Sequence, residues 1–390
     1  MGMGVDFVMN NASVRARRVG YAAFFLSGIC AISSGVVVSL LQQRYGLAYG
    51  VSGSLISVMS VGNLVAGFLA GVLPSRLGLK TTTLILGTGY TLGYALMGVS
   101  GQVWLLTAAF ALVGLAKGGA INACTILVGD NVPDRPRGMN TMHSCYACGA
   151  LLCPFVAAGA SAFFGISGPT NLLAVMGLGL LLAFALAPAS LTGRRQGAAR
   201  PDWSFCRSRK FWLLTALLFC QNGAETSVTG WLVTYFKDQG ILSGAVSSYT
   251  VTLLWMATMA GRLYLAFVRP PKNPYTAMMI MGLGCTVFYG GLMLARTQVP
   301  ALLLLLLFAL SIAGMNPTAV ACAGKMTSVT SMGVMLPAAG LGAILMPWVI
   351  GLVADAAGLT AGMACNILPC AGMLLFAALV RRESRADAPA

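Results

Sequence analysis

The 390-residue chain predicts an all-α membrane protein, twelve transmembrane helices in two pseudo-symmetric six-helix bundles. Three observations carry that expectation. Hydrophobic residues make up 58% of the chain and charged residues 8%, too few to cover a water-soluble surface. Gly149-Ala150-Leu151-Leu152-Cys153-Pro154 recurs as Gly342-Ala343-Ile344-Leu345-Met346-Pro347 at an offset of 193, and Gly165 and Gly358 keep that offset. Such self-similarity marks a duplicated unit. Basic residues also gather in alternate connections, as a multi-pass chain requires.

A helix of about 20 apolar residues crosses the ~30 Å hydrocarbon core. In the first half such runs fall at 19–42, 50–73, 81–99, 103–128, 139–163 and 170–190. In the second half they fall at 211–234, 245–268, 274–295, 298–322, 327–353 and 361–380. Between the two sets lies 191–209, with Pro201, small residues and six basic residues if the adjoining Lys210 is counted. It reads as a cytoplasmic linker. The bundles are therefore 1–190 and 210–390, the second ending in a short charged tail from 381. Gly67-x3-Gly71, Gly89-x3-Gly93 and Gly114-x3-Gly118 have the spacing that lets helix backbones approach, and read as interhelical contacts.

The net charge of +15 follows from topology rather than from a nucleic-acid partner. With the N-terminus inside, 20 of the 24 basic residues lie cytoplasmic. Arg44, Lys237 and Arg296 lie outside, and Lys117 lies within a span. That bias places both termini in the cytoplasm and the chain in the inner (plasma) membrane. No leader of cleavable pattern precedes the first span. No connection is long enough for a soluble catalytic domain, and there is a single histidine, so the chain reads as neither enzyme nor cofactor protein. Most of the eleven cysteines fall inside spans, as small apolar residues. His143-x-Cys145-x-x-Cys148 lies on one apolar helix without a fourth ligand and reads as packing, not as a metal site. A monomer in the bilayer is expected.

The residues that cost most to bury carry the functional reading. Of nine acidic residues, only Glu225 lies deep in a predicted span. An ionisable group at that depth costs about 2.5–3.5 kcal/mol on insertion scales, so it usually faces the bundle interior. Lys117, in the fourth span, is its basic counterpart, at a depth only about 6 Å different at 1.5 Å per residue. A static salt bridge and a gated coupling pair both fit. Helical spacing sets Gln221, Asn222 and Thr229 beside Glu225, a polar face suited to a polyhydroxylated solute. Trp231 and Tyr235, toward the outer end, fit either a sugar-stacking role or, more simply, belt and packing. Asn316-Pro317 predicts a break or kink in the tenth span that exposes carbonyls.

The connection 71–80, Gly-Val-Leu-Pro-Ser-Arg-Leu-Gly-Leu-Lys, resembles the cytoplasmic signature of the major facilitator superfamily. Arg76, Gly78 and Lys80 fit it; Ser75 and Leu79 stand where an acid and a base are usual. Within that superfamily the chain resembles the fucose:proton symporter (fucose permease) family. The likeness rests on Asn122, Asn140, Gly149, Gly223-Ala224-Glu225-Thr226, Tyr249, Gly261-Arg262, Pro317-Thr318, Lys325, Pro347, Gly351 and Asp355-Ala356-Ala357-Gly358. The resemblance adds Arg262 to the loop-motif residues and implies a secondary transporter working by alternating access. The implied cargo is a sugar or related polyol moved with a proton. The family's first-span acid is absent from 19–42, and its fourth-span acid falls on Gly118, which leaves Glu225 as the coupling acid. Two alternatives stay open: an organic-anion transporter with Lys117 as counter-charge, and a drug or metabolite exporter.

Overall fold

The computed structural model describes residues 11–132, 135–187, 204–269, 271–324 and 329–386. Most of the predicted linker, with Arg194, Arg195 and Arg200, lies outside them, as does Lys325. The described chain is almost wholly helical. In order, the helices are α1 (Asn11–Ile32), α2 (Ser34–Tyr45), α3 (Tyr49–Val72), α4 (Pro74–Leu77), α5 (Leu79–Val99), α6 (Val103–Gly129), α7 (Arg135–Phe164) and α8 (Gly168–Ala185). Then come α9 (Arg209–Gln239), α10 (Gly244–Leu263), α11 (Pro274–Leu294), α12 (Gln298–Ala313), α13 (Met315–Gly324), α14 (Val329–Ala357), α15 (Leu359–Ala364) and α16 (Ile367–Ala386).

Among the described residues, eight helices are long and apolar enough to cross a membrane, or nine if the bent pair α1–α2 is one span. The predicted spans at α5, α9 and α10 are absent from that set. Each carries more polar residues; α9 alone holds Gln221, Asn222, Glu225, Lys237 and Asp238. Large apolar side chains lie bare outside: Phe163 is 84% exposed, Phe267 76% and Leu294 75%. A surface of that kind belongs against lipid, not water.

The chain divides into two compact units, and the division is not a simple halving. One unit is Met1–Ser33 with Val61–Gln196; the other is Ser34–Ser60 with Gly197–Ala390. Thus α2 and the first half of α3 group with the C-terminal helices.

Within each unit the sequence repeat has the same structural job. In the first, a Cβ on Gly149 of α7 would strike the Phe25 carbonyl of α1. In the second, a Cβ on Gly342 of α14 would strike the Phe219 carbonyl of α9. Both glycines let two helix backbones touch where any side chain would hold them apart. Gly165 (φ 72°) ends α7 and Gly358 (φ 87°) ends α14, in a left-handed conformation that glycine adopts without strain. Gly89 and Gly93 sit against α6, and Gly118 sits against Asn63 and Ala66 of α3, as predicted. Gly67 faces open space, so its pair is not an interhelical contact there: the spacing fixes a face but not which face has a neighbour.

Candidate functional site

The site in the second unit begins with a proline. Pro317 has no N–H to give the carbonyl four residues back, that of Ala313. The helix accordingly stops at Ala313 and restarts as α13 at Met315. A carbonyl left unpaired inside a protein costs about 1–3 kcal/mol. Arg262, at the end of α10, takes it up: its Nε donates to the Ala313 oxygen at 3.1 Å.

The same guanidinium meets Glu225 of α9. Arg262 NH2 lies 3.6 Å from the Glu225 carboxylate, with side chains 41% and 20% exposed. The pair is therefore neither sealed nor fully solvated, and water or a solute can reach it. One turn earlier on α9, Gln221 donates through its amide to Glu225. Asn316, just past the break, donates to the Gln221 carbonyl oxygen at 2.9 Å. Carboxylate, guanidinium, two amides and a helix-break carbonyl thus form one continuous network. The indole of Trp255 lies under Arg262, 6.0 Å from ring centroid to guanidinium carbon. Glu225, Trp255, Thr258 and Phe308 line a cleft that, as it stands, admits no water-sized sphere.

The other predicted residues fall as follows. Lys117 lies half-buried in α6 of the first unit. The sequence placed Arg262 in the cytoplasmic motif; the structure sets it in an ion pair with Glu225, inside the second unit. The physical reason is reach: Arg262 is one residue from the end of α10, yet its long stem carries the charge to α9 and to the break. Asn222 is half-buried on α9, and Thr229 is buried with its hydroxyl lacking a hydrogen-bond partner among the described residues. Trp231 and Tyr235 are wholly buried. Trp231 gives its N–H to the Pro347 carbonyl at 3.2 Å, and Tyr235 packs edge-on against Phe236. Arg76 is exposed on α4, and Gly78 turns the chain with φ 79°. Lys80 caps the end of α8, donating to the Ala185 and Ala187 carbonyls at 2.8 Å each. Arg262's place and Trp255 escaped the sequence reading; the one available signal was the carbonyl that Pro317 must free.

Comparison with known proteins agrees with this architecture. Residues 20–338 match the family model described as Major Facilitator Superfamily. A gallate transporter of Pseudomonas putida is 30% identical over 105 residues, 27% of this chain and 23% of that protein. A class C tetracycline resistance protein of Escherichia coli is 28% identical over 176 residues, 44% of this chain and 43% of that protein. The matches therefore span less than half the length of either relative. Among solved structures, a mutant form of the nucleoside transporter NupG superposes with a TM-score of 0.76 at 14% identity, covering 95% of this chain and 99% of that one. A bacterial homologue of the human lysosomal transporter Spinster, inward-facing and occupied, gives 0.75 at 12% identity, covering 97% and 98%. At such identities the likeness is one of fold.

Proposed function

The chain belongs to the major facilitator superfamily, a transporter family and not an enzyme family, and on that premise we propose that it is a secondary transporter of a small polar solute working by alternating access. With α5, α9 and α10 counted beside the more apolar helices, its topology is twelve spans in two bundles, 1–190 and 210–390. Both termini face the cytoplasm, and the protein is a monomer in the inner membrane. The solute is a sugar or related polyol, and a proton travels with it.

The observation that carries this reading is the Glu225 network. The Glu225 carboxylate has an amide on one side and a guanidinium on the other, and either can be exchanged for a solute. Ionised, it is held by Arg262; protonated, it lets Arg262 go and can itself donate to a solute hydroxyl. The amides of Gln221 and Asn316 offer both donors and acceptors, which suits hydroxyl groups better than an apolar cargo.

A second reading has its own observation. Arg262 is 41% exposed, a guanidinium accessible to a carboxylate, and one relative is a gallate transporter. Gallate is an aromatic hydroxy acid, and Trp255 would offer it a ring face. The test is uptake of labelled L-fucose, mannitol and gallate into proteoliposomes, with and without an inward proton gradient. Saturable, gradient-driven uptake of either neutral compound supports the first reading. Gallate uptake alone, abolished by Arg262→Ala, replaces it with the second.

A further inference from the structure

We infer that the seam between α11 and α16, at the end of the molecule that the charge bias places in the cytoplasm, binds an anionic phospholipid. Its phosphate sits on Arg381 and Arg382, and its acyl chains lie along the bare apolar stripes of the two helices. The inference needs only the multi-pass placement, and stands whichever solute is carried.

The first observation is a cation without a counter-ion. Arg381, in the last turns of α16, is half-buried against α11. Its Nη1 donates to the Met279 sulfur at 3.4 Å, a weak acceptor, and its Nε is enclosed with no hydrogen-bond partner among the described residues. One turn further, the Ser384 hydroxyl is enclosed and lacks a partner in the same way. Glu383 does not serve Arg381. It stands two positions on, about 200° round the helix, and its carboxylate lies 4.0 Å from Arg209 of α9. Among the described residues no carboxylate pairs with Arg381. A charge drawn out of water normally has an opposite charge beside it, so an anion from outside the chain is the fitting partner.

The second observation is where that charge sits. A Cβ on Gly282 would meet the Leu374 backbone at 2.8 Å, and Met279 meets Arg381, so α11 and α16 pack closely and run antiparallel. Beside the seam α16 bares Leu368 and Leu375, 68% and 55% exposed, and the same seven-residue step leads to exposed Arg382. α11 bares Ile280, Leu283 and Val287, each more than half exposed. The helical pitch sets both stripes on one side of the seam. Two apolar stripes that end together in cations match a phospholipid, with chains along the stripes and an acidic head at the end. Guanidinium groups fork onto phosphate oxygens, and α11 begins here, with the positive end of its dipole toward the same place. A choline head would bring a further cation to the two arginines, so the site selects net negative charge.

The test uses the purified full chain in detergent and native mass spectrometry with dioleoyl phosphatidylglycerol or dioleoyl phosphatidylcholine. The parent is expected to hold one phosphatidylglycerol at about a tenth of the concentration that phosphatidylcholine requires, a preference of about 1.4 kcal/mol. Arg381→Gln with Arg382→Gln is expected to abolish that preference, Arg382→Gln alone to cut it about threefold, and Arg381→Lys to keep most of it. Arg15→Gln with Arg18→Gln, which removes two exposed charges from the first unit, is expected to leave it unchanged. Because Arg382 is exposed, its single variant tests the site even where the double variant does not fold. Equal binding of the two lipids by the parent overturns the site, as does an undiminished preference in Arg382→Gln. So does an equal loss in the Arg15 and Arg18 variant, which makes net charge the cause. Displacement of the lipid by equimolar inorganic phosphate also overturns it, since the occupant is then a free anion.

Discussion

Two helix breaks in this molecule are finished with opposite chemistry. At the end of α1, the Cys30 carbonyl accepts from the Ser33 hydroxyl at 2.7 Å and from the Tyr94 phenol. The Ser33 and Tyr94 oxygens also adjoin each other, and Ser27 bonds Tyr90 at 2.9 Å one turn below. All are neutral and buried. At the end of α12, the Ala313 carbonyl accepts from a charged guanidinium that is also paired with a carboxylate, and both ions are partly exposed. The first break is sealed with groups whose charge does not change near neutral pH. The second is closed by an ion pair, which on the proposed function a proton or a solute dissolves. A break alone therefore says little about function; what occupies its carbonyl separates a joint from a working site.

That contrast can be broken or sharpened by substitution. The largest difference is expected between Glu225→Ala and Tyr94→Phe. The first is expected to lower gradient-driven uptake by a factor of about 100, the range in which lost general acid–base groups fall. The second is expected to keep uptake and cost about 1–3 kcal/mol of stability, read as a lower melting temperature in detergent. Equal uptake in the two variants would erase the distinction.

Next come the matched glycines. Gly149→Ala and Gly342→Ala each press a methyl group into a facing carbonyl, one in each unit. Each is expected to destabilise by about 1–3 kcal/mol, as overpacking does. Similar losses from the two would support equivalent roles for the repeat; a neutral Gly342→Ala would break the symmetry. Arg262→Ala is expected to cost about 1–3 kcal/mol of stability, chiefly because the Ala313 carbonyl loses its donor. Its uptake should fall about as far as that of Glu225→Ala. Smallest is Pro317→Ala, which returns an N–H to the Ala313 carbonyl in competition with Arg262. A rise in melting temperature with turnover slowed a few-fold is expected; faster turnover would count against the break as a working part.

Much of the architecture could be read before any coordinates. The 193-residue offset marked a duplicated unit, and Gly149 and Gly342 stand in matching contacts against α1 and α9. Asn316-Pro317 predicted the break in the tenth span, because a missing N–H is a property of proline itself. Glu225 with Gln221 was legible from i, i+4 spacing on one helix. The ion pair of Glu225 with Arg262 was not. Distance along the chain says nothing of which helix ends face each other, and a basic residue near a span end looks cytoplasmic whatever its stem can reach. The break after α1 was hidden too, since Ser33-Ser34 carries no proline and its bonds come from Tyr94, 61 positions away. Nor did the halves of the sequence predict that 34–60 would group with the C-terminal helices.

The central claim is that Glu225, paired with Arg262, carries the coupling proton. The most direct test compares two reactions of Glu225→Gln in proteoliposomes, using whichever of L-fucose, mannitol or gallate the parent protein takes up. Glutamine keeps the shape and the bond to Gln221 but has no proton to lose. The account predicts that the variant exchanges labelled for unlabelled solute at near the parental rate, yet fails to accumulate it against a gradient at any external pH. Accumulation with the parent's pH dependence would contradict it.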